Sequence, residues 1–417
     1  MITKFKNDLF WNAISFGGIV VLGVLLNILI LTFYDESALG VFNQVYAIFI
    51  LLSQLAVGGV HLSIQYYVPS SSNSKEHISQ YLTTALVSSL ATGIVAIGVG
   101  YLLIPLIGKM LNSPEVTLGL YYSLWGLFFF SFNKIILSVF NGMREMKKFA
   151  LFQFLRFSFM TIFLIILLFN NAPVYLLASI LAFSELLLFL ILIFSISPFL
   201  IWKFNKRFKK IFMIQNKFGI TALFGNFLLD VNTKIDIFTL GIFLEDKWVG
   251  IYSFAATIAE GYMQFAVLLR NNINPIITKL IRKKNPSLIV KVLRENKIKF
   301  YKVLGLLGIL SIAGFLVLIF ILDRDYKLMS ILLYAILITG FILSGGYQPF
   351  LMFFNQIGKP KIQTIYISFV CFSNIIFNFL LVPLIGVYGA AVGTALSFIF
   401  QVFLFRWLMK RSLNYTI

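Results

Sequence analysis

Cysteine is nearly absent from this 417-residue chain, where Cys371 stands alone. No disulfide can close within the chain, and no thiolate cluster can hold a metal. Histidine is almost as scarce: His61 and His77 are too few to make a metal site by themselves. Acidic residues number 15 against 34 Lys and Arg, and charged residues of both signs make up only 12% of the sequence. A soluble domain carries about 25%. So little charge cannot clothe a water-soluble protein of this length. The sequence also lacks a Walker P-loop, an HExxH helix and a GxSxG elbow, so ATP hydrolysis and the matching peptidase or esterase chemistries have no support. Together these absences exclude a soluble enzyme, a disordered chain and a disulfide scaffold.

What is present is apolar. Hydrophobic residues account for 60% of the chain, with 47 Phe among them, and the mean hydropathy is +0.94. A spanning helix needs about 20 mainly apolar residues. Twelve stretches qualify, near 10–33, 41–66, 81–107, 117–140, 150–169, 174–197, 219–243, 249–270, 301–322, 328–354, 362–383 and 386–409. The fold class expected is an all-α integral membrane protein of about twelve transmembrane helices. The first run is too long for the apolar core of a signal peptide. Between the last two stretches, Pro383 to Gly389 leaves room only for a tight turn. The expected domains are a six-helix lobe over 1–200, a basic linker over 201–218, and a second six-helix lobe over 219–417.

The net charge of +19 has a topological explanation. An even number of spans puts both termini on one side. Lys109, Lys247, Arg324 and Lys327 fall on the opposite side, and Lys134, Arg156, Lys234 and Arg270 fall within spans. The remaining cations crowd the side of the termini, above all in 198–217 and 271–302. Cationic loops mark the cytoplasmic face, so both termini are expected there. The excess follows topology, and nucleic acid is not an expected partner. In the second long loop, Asn285 can cap a helix with Pro286 at its first position. Leu288, Val292 and Glu295 share one face, flanked by Ile289 and Leu293, with Lys291, Arg294 and Lys297 toward the other. That pattern fits either an amphipathic helix lying on anionic membrane lipids or an ordinary solvated connector.

The halves of the chain resemble each other. Phe33-Tyr34-Asp35-Glu36, then Leu39-Gly40-Val41-Phe42, matches Phe243-Leu244-Glu245-Asp246, then Val249-Gly250-Ile251-Tyr252. Phe140-Asn141 and Lys147 likewise match Phe354-Asn355 and Lys361. Both offsets are near half the length, and both join equivalent spans. Six spans per half give the two halves one orientation, as in carriers whose halves are related by an axis along the membrane normal.

At these residues the chain resembles the polysaccharide flippases, the O-antigen and capsule repeat-unit transporters of the multidrug/oligosaccharidyl-lipid/polysaccharide exporter superfamily. The run Ser37-Ala38-Leu39-Gly40-Val41-Phe42, with Tyr46 and Gly58-Gly59, resembles their opening. So do Lys234 to Phe243, the loop Asn141-Gly142-Met143-Arg144, and Asn355 to Lys361. The resemblance implies a V-shaped fold of two six-helix lobes. It implies a secondary carrier rather than an enzyme, moving a polyprenyl-pyrophosphate-linked oligosaccharide from the inner to the outer leaflet of a bacterial cytoplasmic membrane by alternating access. It also implies a place in O-antigen, lipopolysaccharide or capsule biosynthesis, beside a polysaccharide polymerase and a chain-length regulator. No cofactor is expected, and the coupling ion would be H+ or Na+. An ion-coupled multidrug or metabolite antiporter of the same fold is the alternative; a membrane glycan polymerase or ligase is a third reading, opposed by the short external loops.

Charge at membrane depth is costly and by default functional. Asp230 and Lys234 are four residues apart and can share one helical face, either as a self-neutralised pair or as part of a polar cleft. Arg156, Lys134 and Arg270 lie toward the cytoplasmic ends of their spans, where each can snorkel or bind a pyrophosphate. These five are the substrate-binding candidates. Asp236, Glu260 and Glu185 are the ion-coupling candidates, with a structural protonated acid as the other reading of the two glutamates. The orientation is testable on a Cys371→Ser background. Asp325→Cys is expected to react with an impermeant maleimide from outside intact cells, and Lys361→Cys only after permeabilisation; the reverse pattern would invert the topology.

Overall fold

The computed structural model describes residues 2–71, 74–201, 206–282, 286–322 and 324–413. Asn285, expected as a helix cap, lies outside them. No strand occurs among the described residues. The helices are α1 Ile2–Phe33, α2 Glu36–Val57, α3 Val60–Tyr67, α4 Lys75–Leu111, α5 Pro114–Ser123, α6 Gly126–Gly142, α7 Met146–Phe169, α8 Val174–Leu177 and α9 Ile180–Ile196. There follow α10 Lys206–Phe243, α11 Asp246–Arg282, α12 Pro286–Leu322, α13 Lys327–Ser344, α14 Phe353–Gln356, α15 Pro360–Ile385 and α16 Val387–Leu413. Joined at their breaks, α2 with α3, α5 with α6, α8 with α9 and α13 with α14, these rods coincide with the twelve expected stretches.

The breaks have identifiable causes. Between α2 and α3 the chain turns through Gly58 and Gly59, both left-handed at φ 60° and 70°, a conformation glycine adopts without strain. A side chain at Gly59 would also run into the Gly219 carbonyl, 2.3 Å from its Cβ position. α5 and α6 meet at 52°. There Gly126 lets α6 lie directly on Ala182 of α9. The tight turn expected before Gly389 is present. α15 runs through Pro383 to Ile385, Gly386 ends it at φ 61°, and Gly389 sits flush on the Leu381 carbonyl.

Among the described residues, eight helices are long and apolar enough to cross a membrane, and the bent pair α5–α6 makes a ninth. Large apolar side chains point outward along them, Leu102 82% and Phe194 79% exposed. Water penalises such a surface and lipid does not. The protein is therefore a multi-pass membrane protein. α10 and α11 have 38 and 37 residues, ample length to span, yet neither passes on apolarity.

The helix expected at 286–297 is not a separate interfacial element. It forms the first turns of α12, which continues unbroken to Leu322. Ile289 and Leu293 are buried within the protein, and Phe300, further along, packs tilted against Phe350 with ring centres 5.5 Å apart. The Ile289–Leu293 side thus packs on protein, while Leu288, Lys291, Arg294 and Glu295 are exposed.

The chain divides into two compact units, Met1–Asp230 and Val231–Ile417. The sequence repeat recurs in them as hydrogen bonds. Tyr34 N–H donates to Ile30 O and Leu39 N–H to Asp35 O; half a chain later, Leu244 N–H donates to Leu240 O and Val249 N–H to Glu245 O. After α6, the N–H groups of Met143, Arg144 and Glu145 donate to Val139, Asn141 and Phe140. In the second copy Ile357, Gly358 and Lys359 donate to Phe353, Asn355 and Phe354. Arg144 and Gly358 occupy the same left-handed place, at φ 57° and 75°. Nothing lies within 4 Å of a Cβ added at Gly358, so only backbone strain should oppose substitution. Gly358→Val is expected to cost about 1–2 kcal/mol and Gly358→Asn much less, read as the Tm of the detergent-solubilised protein.

Candidate functional site

Each unit holds one polar cluster among apolar helices. In the first unit α6, α7 and α9 meet around Glu185, which is 3% exposed. Arg156 of α7 brings Nε to 2.6 Å from Glu185 Oε1, and its second guanidinium nitrogen donates to Oε2 at 3.4 Å. The Nε–H does not point at the oxygen, so that short contact is charge against charge. The other terminal nitrogen donates to Gln153 Oε1 at 3.1 Å, one turn back on α7. The flat face of the guanidinium lies 5.0 Å from the Phe130 ring centre, a cation–π arrangement. From α6, Asn133 Nδ2 donates to Glu185 Oε2 at 2.7 Å and to the Glu185 carbonyl at 2.8 Å. Both terminal nitrogens of Arg156 and one face of its guanidinium are thus engaged. Lys134, the next residue on α6, is half-buried and within electrostatic range of Arg156, Glu185 and Asp230.

In the second unit a closed ring of hydrogen bonds links four helices. Asn374 Nδ2 of α15 donates to the Asn232 carbonyl of α10 at 3.0 Å. Asn378, one turn along α15, donates to Asn374 O and Oδ1, both at 2.9 Å. Thr394 of α16 donates to Asn374 Oδ1 at 3.5 Å. The Tyr252 hydroxyl of α11 bonds Thr394 and donates to Asp236 Oδ2 on α10, and the other oxygen, Oδ1, accepts from Ile237 N–H at 2.9 Å. Asp236 is four residues from Asn232, which closes the ring. Beside it, Lys234 Nζ lies 2.8 Å from Glu260 Oε1, the lysine 12% and the glutamate 43% exposed.

The expected site residues therefore fall into two groups. Arg156, Glu185, Lys134 and Asp230 come together in the first unit. Lys234, Glu260 and Asp236 come together in the second, where Lys234 and Glu260 lie within electrostatic range of Asp236. Among the described residues Arg270 joins neither network; it sits half-buried on α11, beyond Glu260. Glu185 and Glu260 are not the single carboxylates the spans suggested, since each faces a cation on a neighbouring helix. Sequence reasoning missed Asn133, Tyr252, Asn374, Asn378 and Thr394. The pair Asn374 and Asn378, four apart in an otherwise apolar run, carried a readable signal: buried amides in lipid require partners as charges do.

Removing one member of a buried ion pair leaves the other uncompensated, whereas removing both with apolar replacement is close to neutral. Arg156→Ala is expected to destabilise the protein by about 3–5 kcal/mol. Arg156→Met combined with Glu185→Met should recover most of that loss, because Asn133 keeps its bond to the Glu185 backbone. Thermal melting of the purified wild type and the two variants reads the difference.

The geometry has counterparts among known proteins. The sequence profile of the family described as polysaccharide biosynthesis protein matches residues 68–310, more than half of the chain. No curated protein matches in sequence. Among solved structures, an inward-facing multidrug resistance transporter of the MATE family, in the MOP superfamily, aligns with a TM-score of 0.72 at 14% identity, over 95% of this chain and 94% of that one. The lipid II flippase MurJ, in an inward closed conformation, aligns with a TM-score of 0.69 at 15% identity, over 98% of this chain and 88% of that one. A MATE transporter of Vibrio cholerae aligns at 0.66 with 11% identity, over 99% and 98% of the two chains. At such identities the likeness establishes a shared fold. The fold is that of the MOP exporters, and by its sequence the chain belongs to the polysaccharide biosynthesis protein family.

Proposed function

We propose that this protein is a flippase that carries a polyprenyl-diphosphate-linked oligosaccharide from the inner to the outer leaflet of a bacterial cytoplasmic membrane. It acts by alternating access and is driven by an ion gradient. The observation that carries this reading is the character of α10 and α11. Both are long enough to span, and both carry charge at membrane depth, Asp230, Lys234 and Asp236 on α10 and Glu260 and Arg270 on α11. Helices of that kind are tolerated at membrane depth where they line a water-filled path. A hydrated glycan needs such a path, and a family described as polysaccharide biosynthesis protein supports a glycan as the cargo.

The roles divide by unit. Lys134, with Arg156 behind it, offers positive charge to the diphosphate in the first unit. Lys234 does so in the second, and Arg270 guards the approach along α11. The ring around Asp236 suits a coupling ion, because a hard cation seeks oxygen ligands. The Asp236 carboxylate and the buried Asn378 Oδ1, which has no partner among the described residues, are the oxygens it would use. Glu185 and Glu260 are the counter-ions of Arg156 and Lys234. The protein is a carrier, not an enzyme; a polymerase and a chain-length regulator would act on what it delivers.

The same fold in multidrug transporters favours one rival, an antiporter of small amphiphilic cations. A matched deletion strain separates the two readings. The wild-type chain is expected to restore surface polysaccharide. Lys234→Ala and Asp236→Asn, at normal expression, should lower it about tenfold. Failure of the wild-type chain to restore polysaccharide, with gradient-driven uptake of organic cations in vesicles, would establish the antiporter.

A further inference from the structure

At the end of α3 in the first unit, five rings are locked together. Tyr66 stacks on Phe218 of α10, centroids 5.5 Å apart at 29°, and meets Tyr67 edge-on at 4.9 Å. Tyr67 stacks on Tyr81 of α4 at 5.4 Å, and His77 lies 4.5 Å from Tyr81. The outermost ring, Tyr66, is nonetheless 65% exposed. An aromatic side chain fixed by its neighbours, yet open on one face, binds with little further loss of conformational entropy.

The rings sit at the end of a polar column. Gln65, beside Tyr66 and exposed, donates to Ser138 Oγ of α6 at 3.5 Å. One turn deeper on both helices stand His61 and Lys134, within electrostatic range of each other. His61 is 6% exposed, and its Nδ1 has no partner among the described residues. Beyond Lys134 lies the Arg156–Glu185 pair. Outward to inward, the order is therefore an open aromatic face, neutral hydrogen-bonding groups, then cations. That order matches a sugar ring followed by its diphosphate. The axial C–H bonds of a pyranose carry slight positive charge and fit the negative face of an aromatic ring; amide and hydroxyl groups pair with sugar hydroxyls.

We propose that Tyr66, backed by Phe218, is a stacking platform for a pyranose ring of the substrate's glycan, and that Gln65 hydrogen-bonds the same sugar. The proposal rests on the flippase reading above and names the glycan contact within it. On the expected topology this end of α3 faces the cytoplasm, where the loaded lipid is made.

The rival is an interfacial aromatic that only anchors the helix at the headgroup level. Substitution separates them, because an apolar aliphatic residue can bury in the interface but cannot stack on a sugar. In the deletion strain, Tyr66→Trp and Tyr66→Phe should export surface polysaccharide at the wild-type rate. Tyr66→Leu should export about tenfold less at equal protein level and equal Tm. Full export by Tyr66→Leu overturns the platform while leaving the flippase reading intact; failure of the wild-type chain to export overturns that reading first. Should Tyr66→Leu fold poorly, Gln65→Ala gives a second measurement: unchanged export with it would also count against the platform.

Discussion

A carboxylate 2.6 Å from a guanidinium, inside a bundle that turns Leu and Phe outward, expresses the constraint on which this structure depends. The hydrocarbon of a bilayer supplies no hydrogen bonds, so each polar group within it must be satisfied by the protein. The two units meet that demand differently. The first centres on one ion pair clamped by Asn133 and Gln153, beside neutral contacts such as Asn27–Asn43 and Ser88–Asn216. The second spreads it over a ring of amides, hydroxyls and a carboxylate. In both, the polar contacts join helices that apolar packing alone would leave free to slide. Polar pairing here sets the register of the helices as much as it supplies chemistry.

The fold was largely legible in the sequence because its determinant is local. Twenty apolar residues in a row make a span whatever surrounds them. The turn at Gly386 and the break at Gly58-Gly59 were marked by residues with few other uses. The bend between α5 and α6 was not legible, since its cause is Ala182, far along the chain and against Gly126. The site was legible by residue type and illegible by partner. Arg156 and Glu185 lie 29 residues apart on different helices, and Lys234 and Glu260 lie 26 apart; no local periodicity reports such a pairing. Attention to charge also passed over the asparagines, although an uncharged amide in hydrocarbon has the same need for a partner.

The repeat shows which features of the two halves are backbone and which are chemistry. The turns after α1 and α10, and those after α6 and before α15, share their hydrogen bonds one for one. At one such position the first copy holds Arg144 and the second Gly358, so the turn persists even where the side chain is strained. Inside the membrane the halves differ. Asn43 donates to Asn27 across α1 and α2 at 3.1 Å, whereas Tyr252, the counterpart of Phe42 in the repeat, donates to Asp236 across α10 and α11. The contact is neutral in one half and ionisable in the other.

That asymmetry bears on how an anionic headgroup can be held. In the first cluster Arg156 and Lys134 are balanced by Glu185 and Asp230. In the second, Lys234 faces two carboxylates, Glu260 and Asp236. Neither cluster offers net positive charge as it stands, so on the proposed reading a diphosphate would displace a carboxylate to bind. Taking the fork of Arg156 would strand Glu185, buried and bonded on two sides, at a cost of several kcal/mol. Lys134 shares its carboxylates through space and can turn to a new partner at smaller cost, its flexible stem presenting a point charge. On the proposed flippase reading, that hierarchy would make Lys134 the first contact of the headgroup, with Arg156 and Glu185 as the rigid wall that holds α6, α7 and α9 around it.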